Sequence, residues 1–78
     1  MSLATLLVVD DEPLNMSLLS QLLRPEFRVL GALSGPSALA LMAAEQPDLV
    51  LLDVMMPAMD GLTVLRRMRE QPALAAIP

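Results

Sequence analysis

Three carboxylates stand where apolar runs end. "LLVVDDEP" (6–13) closes on Asp10 and Asp11, and "LVLLDVMMPAMDG" (49–61) releases Asp53 into a loop that carries Pro57 and the pair Asp60-Gly61. An acid at the end of a buried strand sits at a sheet edge. If the two runs are neighbouring strands, their acids meet in one cleft although they come from distant parts of the chain. Two unit charges ~4 Å apart interact by about 1 kcal/mol in water and about 4 kcal/mol at an effective dielectric of 20, so such a cluster needs protons, a basic side chain or a cation to neutralise it. Neither run contains Arg or His. Few, all-oxygen donors in an open cleft suit Mg²⁺, which keeps several waters and prefers one or two carboxylates plus phosphate oxygens. Each acid taken singly also reads as a helix cap or a strand terminator. Spacing alone leaves both readings open.

The rest of the composition narrows the chemistry. The 78 residues contain no Cys and no His, which excludes disulfide staples, Cys/His zinc sites, Ser-His or Cys-His catalysis and histidine pH switching. All five basic residues are Arg (Arg24, Arg28, Arg66, Arg67 and Arg69), and the net charge of −4 argues against a nucleic-acid surface. The Arg66/Arg67/Arg69 cluster reads as a solvated helix face. Hydrophobic residues make up 55% of the chain, yet no apolar run approaches the ~18 residues of a membrane span. The N-terminal segment turns acidic too early for a secretory signal, so the chain is expected to be cytoplasmic. Its length allows one small domain, whose single core supplies only about 3–5 kcal/mol.

The elements that must position the acids follow from periodicity. "TLLVVD" (5–10) is a continuous apolar run suited to a strand buried on both faces. Residues 11–24 carry Pro13 in a first helical turn and apolar residues at 14, 18, 22 and at 19, 23, which is helical spacing. Residues 27–33 are rich in strand formers, with Arg28 marking an edge or half-buried strand. Ser34 can cap a second helix with Pro36 in its first turn and 37–45 as its body. "QPDLVLLD" (46–53) gives a third strand, again apolar throughout. Asp60 can cap a third helix with Leu62, Leu65 and Met68 inward, and Pro72 ends it. Ile77 and Pro78 read as the first step of another strand. Strand-helix alternation of this kind predicts a parallel α/β sheet with helices on both faces. Such sheets bind ligands at the carboxyl ends of their strands where strand order reverses, and an order of 2-1-3 makes the first and third strands neighbours.

"LLVVDDEP" and "PDLVLLDVMMPAMDG", with the helix-strand spacing between them, resemble the receiver domain of two-component response regulators over nearly the whole chain. The resemblance implies a flavodoxin-like, doubly wound parallel sheet, and the 2-1-3 order belongs to it as well. It further implies a phosphoacceptor, not a turnover enzyme. Asp53 would take a phosphoryl group from a phosphohistidine on a histidine kinase or phosphotransfer protein. Asp11 would ligate Mg²⁺ directly, Asp10 would act mainly through water, and the main-chain carbonyl of Met55 would be the third protein ligand beside Asp53. Pro57 and Gly61 match the family's loop. Glu12 could lie beside the metal pocket, but its place in a helix's first turn, where the dipole favours an acid, is explanation enough. Met56 and Met59 read as packing, and the Leu-rich helix faces as core.

The likeness stops part-way. A complete receiver has five strands, a Thr or Ser after the fourth and a Lys after the fifth; the present sequence runs to "AAIP" and has no Lys. With strands 4 and 5 missing, the outer edge of strand three is expected to be open, a place for strand exchange or homodimer formation. The site is expected to bind metal while being poor at phosphotransfer. A competing reading is a degenerate receiver acting as a non-phosphorylated interaction module. A third, a Mg²⁺-dependent phosphohydrolase, would want a second carboxylate where Met55 stands.

Overall fold

The computed structural model describes residues 3–56 and 59–78, so the expectation for Pro57 lies outside the described residues. Six elements alternate: β1 (Thr5–Val9), α1 (Pro13–Leu23), β2 (Arg28–Ala32), α2 (Gly35–Glu45), β3 (Leu49–Leu52) and α3 (Gly61–Glu70). Local chemistry starts each helix. Pro13 and Pro36 occupy first-turn positions, where their missing N–H costs nothing. The Ser34 hydroxyl accepts the Ser37 N–H at 3.2 Å, and the Asp60 carboxylate accepts the Thr63 N–H at 2.8 Å. The expected caps are therefore the observed ones. At the far end of α2, Gln46 turns the chain with φ 47°, the left-handed conformation that helix C-termini commonly use.

The described strands form one parallel sheet in the order β2-β1-β3. Leu7 of β1 stands opposite Leu30 on one side and Val50 on the other. β1 is central, and its side chains alternate between two cores. Leu7 and Val9 join Ala32, Ala38, Met42, Met56, Val64 and Met68 under α2 and α3. Leu6 and Val8 join Val29 under α1, with Met16, Leu19, Leu23 and Phe27 against them. Fully burying a Leu or Val side chain stabilises by about 1.5–3 kcal/mol, so β1 is the strand on which the fold depends most.

Several inward faces differ from those expected. The α3 face that enters the core is Gly61, Val64 and Met68, while Leu62 and Leu65 remain exposed. Helix α1 buries no residue fully. Met16, Leu19 and Leu23 meet the sheet, and the stripe Leu14, Leu18, Leu22 faces outward. β3, read as buried on both faces, is half-buried: Leu49 and Leu51 are 38% and 40% exposed. β1 ends at Val9, leaving Asp10 and Asp11 in the turn that leads into α1. Beyond β3 the described residues offer only the 71–78 segment, so Leu62 and Leu65, which line the apolar cavity at that edge, stay in contact with solvent.

After α3 the chain turns back through 71–76 and lies against the outer edge of β3. Leu74 and Ile77 are buried, and the Val50 N–H donates to the main-chain oxygen of Pro78 at 3.0 Å. Ile77 and Pro78 thus provide a first rung on that edge. No helix is long and apolar enough to cross a membrane among the described residues.

Candidate functional site

The three acids meet as their strand positions require. One carboxylate oxygen from each of Asp10, Asp11 and Asp53 lies within 4.8 Å of the others. Asp10 and Asp53 are half-buried and Asp11 is exposed. Their main chains are tied into the sheet: the Asp53 N–H donates to the Val9 carbonyl at 2.9 Å, and the Asp10 N–H donates to the Ala32 carbonyl at 3.1 Å. Two matching side-chain turns hold the carboxylates. Asp10 Oδ1 accepts the Glu12 N–H at 2.9 Å, and Asp53 Oδ1 accepts the Met55 N–H at 3.0 Å. Asp10 and Asp53 therefore each have a fixed root and a fixed tilt.

Asp53 is positioned from two sides. Met56 is buried and anchors the start of the following loop in the larger core. From the other side α3 abuts the strand end, where the Gly61 N–H donates to the Val54 carbonyl at 3.1 Å. A Cβ on Gly61 would stand 2.3 Å from the Asp53 carbonyl oxygen and 2.7 Å from Val54 Cα. Glycine is needed here for close approach, because both neighbours are backbone. Asp60, one residue earlier, has its pKa held below the ordinary 3.8, first by the Thr63 N–H and then by the Thr63 side chain.

Glu12 is not among the three converging acids. It caps α1, its Oε1 lying 3.5 Å from the Leu14 N–H, in keeping with the helix-start reading. Met55 is 85% exposed, whereas Met56 and Met59 pack, Met59 closely enough that a Cβ on Gly35 would meet it. An open cavity of about 350 Å³ borders the acids, lined by Val8, Val9, Asp10, Asn15, Leu19, Leu51, Leu52 and Asp53. Asn15 was not singled out from the sequence. Its position in the first turn of α1, shortly after two acids, was the available signal.

Among the described residues the ion pair is Arg28–Glu45, at 3.7 Å, and no arginine pairs with the three acids. The donor set is all oxygen, small in number and open to water. These are the properties that Mg²⁺ accepts and that soft-ligand metals do not, so the residues fit that ion.

Comparison with known proteins agrees with the geometry. Residues 6–78 match the sequence profile described as the response regulator receiver domain. "Response regulator PleD" of Caulobacter vibrioides is 49% identical over 76 residues, covering 96% of this chain and 17% of that protein. The solved N-terminal domain of a response regulator receiver protein from Methanoculleus marisnigri superposes with a TM-score of 0.94 at 45% identity, covering 99% of this chain and 63% of that one. TrrA of Thermotoga maritima, solved in complex with Mg²⁺-BeF, gives a TM-score of 0.84 at 37% identity, covering 90% of this chain and 62% of that one. The chain thus spans less than two thirds of each of these relatives.

Proposed function

Because the chain belongs to the response regulator receiver domain family, we propose that Asp53 is its phosphoacceptor, taking a phosphoryl group from a phosphohistidine on a histidine kinase or phosphotransfer protein. The observation that carries this reading is the convergence of Asp10, Asp11 and Asp53 at the carboxyl ends of β1 and β3. A carboxylate oxygen of Asp53 forms the new P–O bond, the P–N bond to the donor imidazole breaks, and the imidazole keeps that electron pair and takes up a proton. Because the donor bond is already activated, the residues need mainly to orient the acceptor and tolerate the added charge. The turn to Met55, the Asp53–Val9 bond and the Gly61 contact provide orientation. Asp10, Asp11, Asp53 and the Met55 carbonyl are the groups that would hold Mg²⁺. When bound, that ion neutralises the acids and the phosphoryl oxygens.

The chain acts in this reading as an acceptor that assists its own modification, in a cytoplasmic signalling pair. The outward stripe Leu14, Leu18, Leu22 starts just after the acids on α1, and it suits the apolar face of a helical, histidine-bearing partner. A second reading, an interaction module that pairs with another copy through β3, draws on one observation. The outer edge of β3 opens into an apolar cavity of about 250 Å³ lined by Val50, Leu52, Leu62, Leu65, Met68 and Ile77, among others.

Phosphate uptake separates the two. Incubation with Mg²⁺ and a small phosphodonor such as a phosphoramidate, followed by intact-mass measurement, should show addition of one phosphoryl group. The same treatment of Asp53→Asn should show none while its circular dichroism spectrum is retained. Equal uptake by Asp53→Asn would remove Asp53 from the acceptor role. No uptake by the parent, with beryllofluoride and Mg²⁺ also failing to bind, would favour the module.

A further inference from the structure

We propose that Gly35 is a positioning residue for the acid pocket: it leaves the socket in which Met59 seats, and Met59 in turn sets where the loop after Asp53 comes to rest. The inference rests on the acceptor reading above and extends it to α2, an element that contributes none of the acids. Gly35 opens α2 and is buried. A Cβ there would stand 2.6 Å from Met59 Sδ, 2.8 Å from its Cγ and 2.9 Å from its Cβ. The last of these matters most. A change of rotamer can carry Sδ and Cγ away, but Cβ is fixed to the main chain, so relief requires residue 59 itself to move.

Gly35 cannot give way instead. The Ser34 hydroxyl accepts the Ser37 N–H at 3.2 Å, and its main-chain oxygen accepts the Ala38 N–H at 3.0 Å. Ala38 and Met42 further along α2 are fully buried, so the helix is seated in the core from its first turn. Displacement of Met59 has a short route to the acids. Met59 packs against the larger core, and two residues later the Gly61 N–H is bonded to the Val54 carbonyl at 3.1 Å, where backbone meets backbone at the end of β3. Gly35 and Gly61 thus hold one loop from two helices, the first through a side chain and the second through main chain. Close-packed interiors transmit such shifts. The groups that feel them are Asp53 and the Met55 carbonyl, both among those proposed to hold Mg²⁺.

Mg²⁺ titration of the 78-residue chain and its variants, followed by the amide NMR signals of Asp53 and Met55, tests the socket. Gly35→Ala should weaken Mg²⁺ binding about tenfold, the scale for groups that orient metal ligands, and should shift the Met55 signal before any Mg²⁺ is added. Met59→Ala removes Sδ and Cγ, two of the three close contacts. Because Gly35 acts through Met59, Gly35→Ala/Met59→Ala should bind Mg²⁺ no more weakly than Met59→Ala alone. Losses that multiply in the double variant overturn the proposal, as does an unchanged affinity in Gly35→Ala. If Gly35→Ala loses its signal dispersion, the double variant must regain it, and failure to do so counts equally against the socket. A parent that binds no Mg²⁺ would remove the metal site from the acceptor reading; the metal-free Met55 signal, shifted or unshifted in Gly35→Ala, then decides for or against Gly35 by itself.

Discussion

Replacing Gly61 by Ala sets two physical effects against each other. Gly61 opens α3, and in a helix Ala is favoured over Gly by up to about 1 kcal/mol. On propensity alone, Gly61→Ala should stabilise. The contact geometry says the opposite. The added Cβ would lie 2.3 Å from the Asp53 carbonyl oxygen, 2.7 Å from Val54 Cα and 2.9 Å from the Asp53 carbonyl carbon, and all three are backbone. Relief to even 3.0 Å moves the strand end and the helix start apart by at least about 0.7 Å, from the distances just given. Overpacking of this kind costs about 1–3 kcal/mol, and no flexible side chain is available to yield. The net expectation is a loss of about 1–2 kcal/mol, a large share of the ~3–5 kcal/mol that a core of this size supplies. Urea unfolding followed by circular dichroism reads it directly: at about 1 kcal/mol per molar, the midpoint should fall by about 1–2 M. Gly31→Ala is the internal control, since the three atoms nearest its Cβ all belong to the flexible side chain of Met16, the Sδ at 2.8 Å. It should cost much less. A Gly61→Ala midpoint equal to or above the parent's would refute the claim that backbone contact, and not propensity, decides this position.

Two further outcomes can be measured with the same protein. The Asp60 carboxyl is held below 3.8 by its bonds to Thr63, so its stabilising effect is fully present above pH 3.8 and is lost as pH falls through the lowered value. The urea-midpoint gap between the parent and Asp60→Ala should therefore be constant from pH 5 to pH 7 and shrink on further acidification, and a gap that widens would contradict the cap's role. Leu18→Glu, on the exposed stripe of α1, should slow phosphoryl transfer from a cognate kinase by about tenfold or more, the usual threshold of an interface hot spot, while uptake from a small phosphodonor is unchanged. Equal slowing with both donors would place the effect in the acid pocket and not on a docking surface.

The element order and the helix starts were legible because the rules that set them are local. Ser34 and Asp60 cap, Pro13 and Pro36 sit in first turns, and alternation of strand and helix leaves few topologies. The acid cluster was legible for a related reason, since a residue at the end of a strand cannot avoid the end of the sheet. Which apolar face turns inward was not. In α1 the residues 14, 18, 22 and the residues 19, 23 make two apolar stripes of similar quality, and periodicity does not rank them. The sheet has room for one, and Met16 completes the stripe that wins. In α3 the choice of Val64 over Leu62 and Leu65 is made by the Gly61 contact, which fixes the rotation of the helix at its first residue. The half-exposure of β3 depends on what stands beside the strand, and no pattern within "LVLL" encodes that.

The turn at Asp53 has a stereochemical consequence. A free carboxylate spins about its bond and offers two equivalent oxygens, but here the Met55 amide claims Oδ1 and breaks that symmetry. The two oxygens are made inequivalent before any reagent arrives, and an incoming electrophile would meet Oδ2 free of that bond.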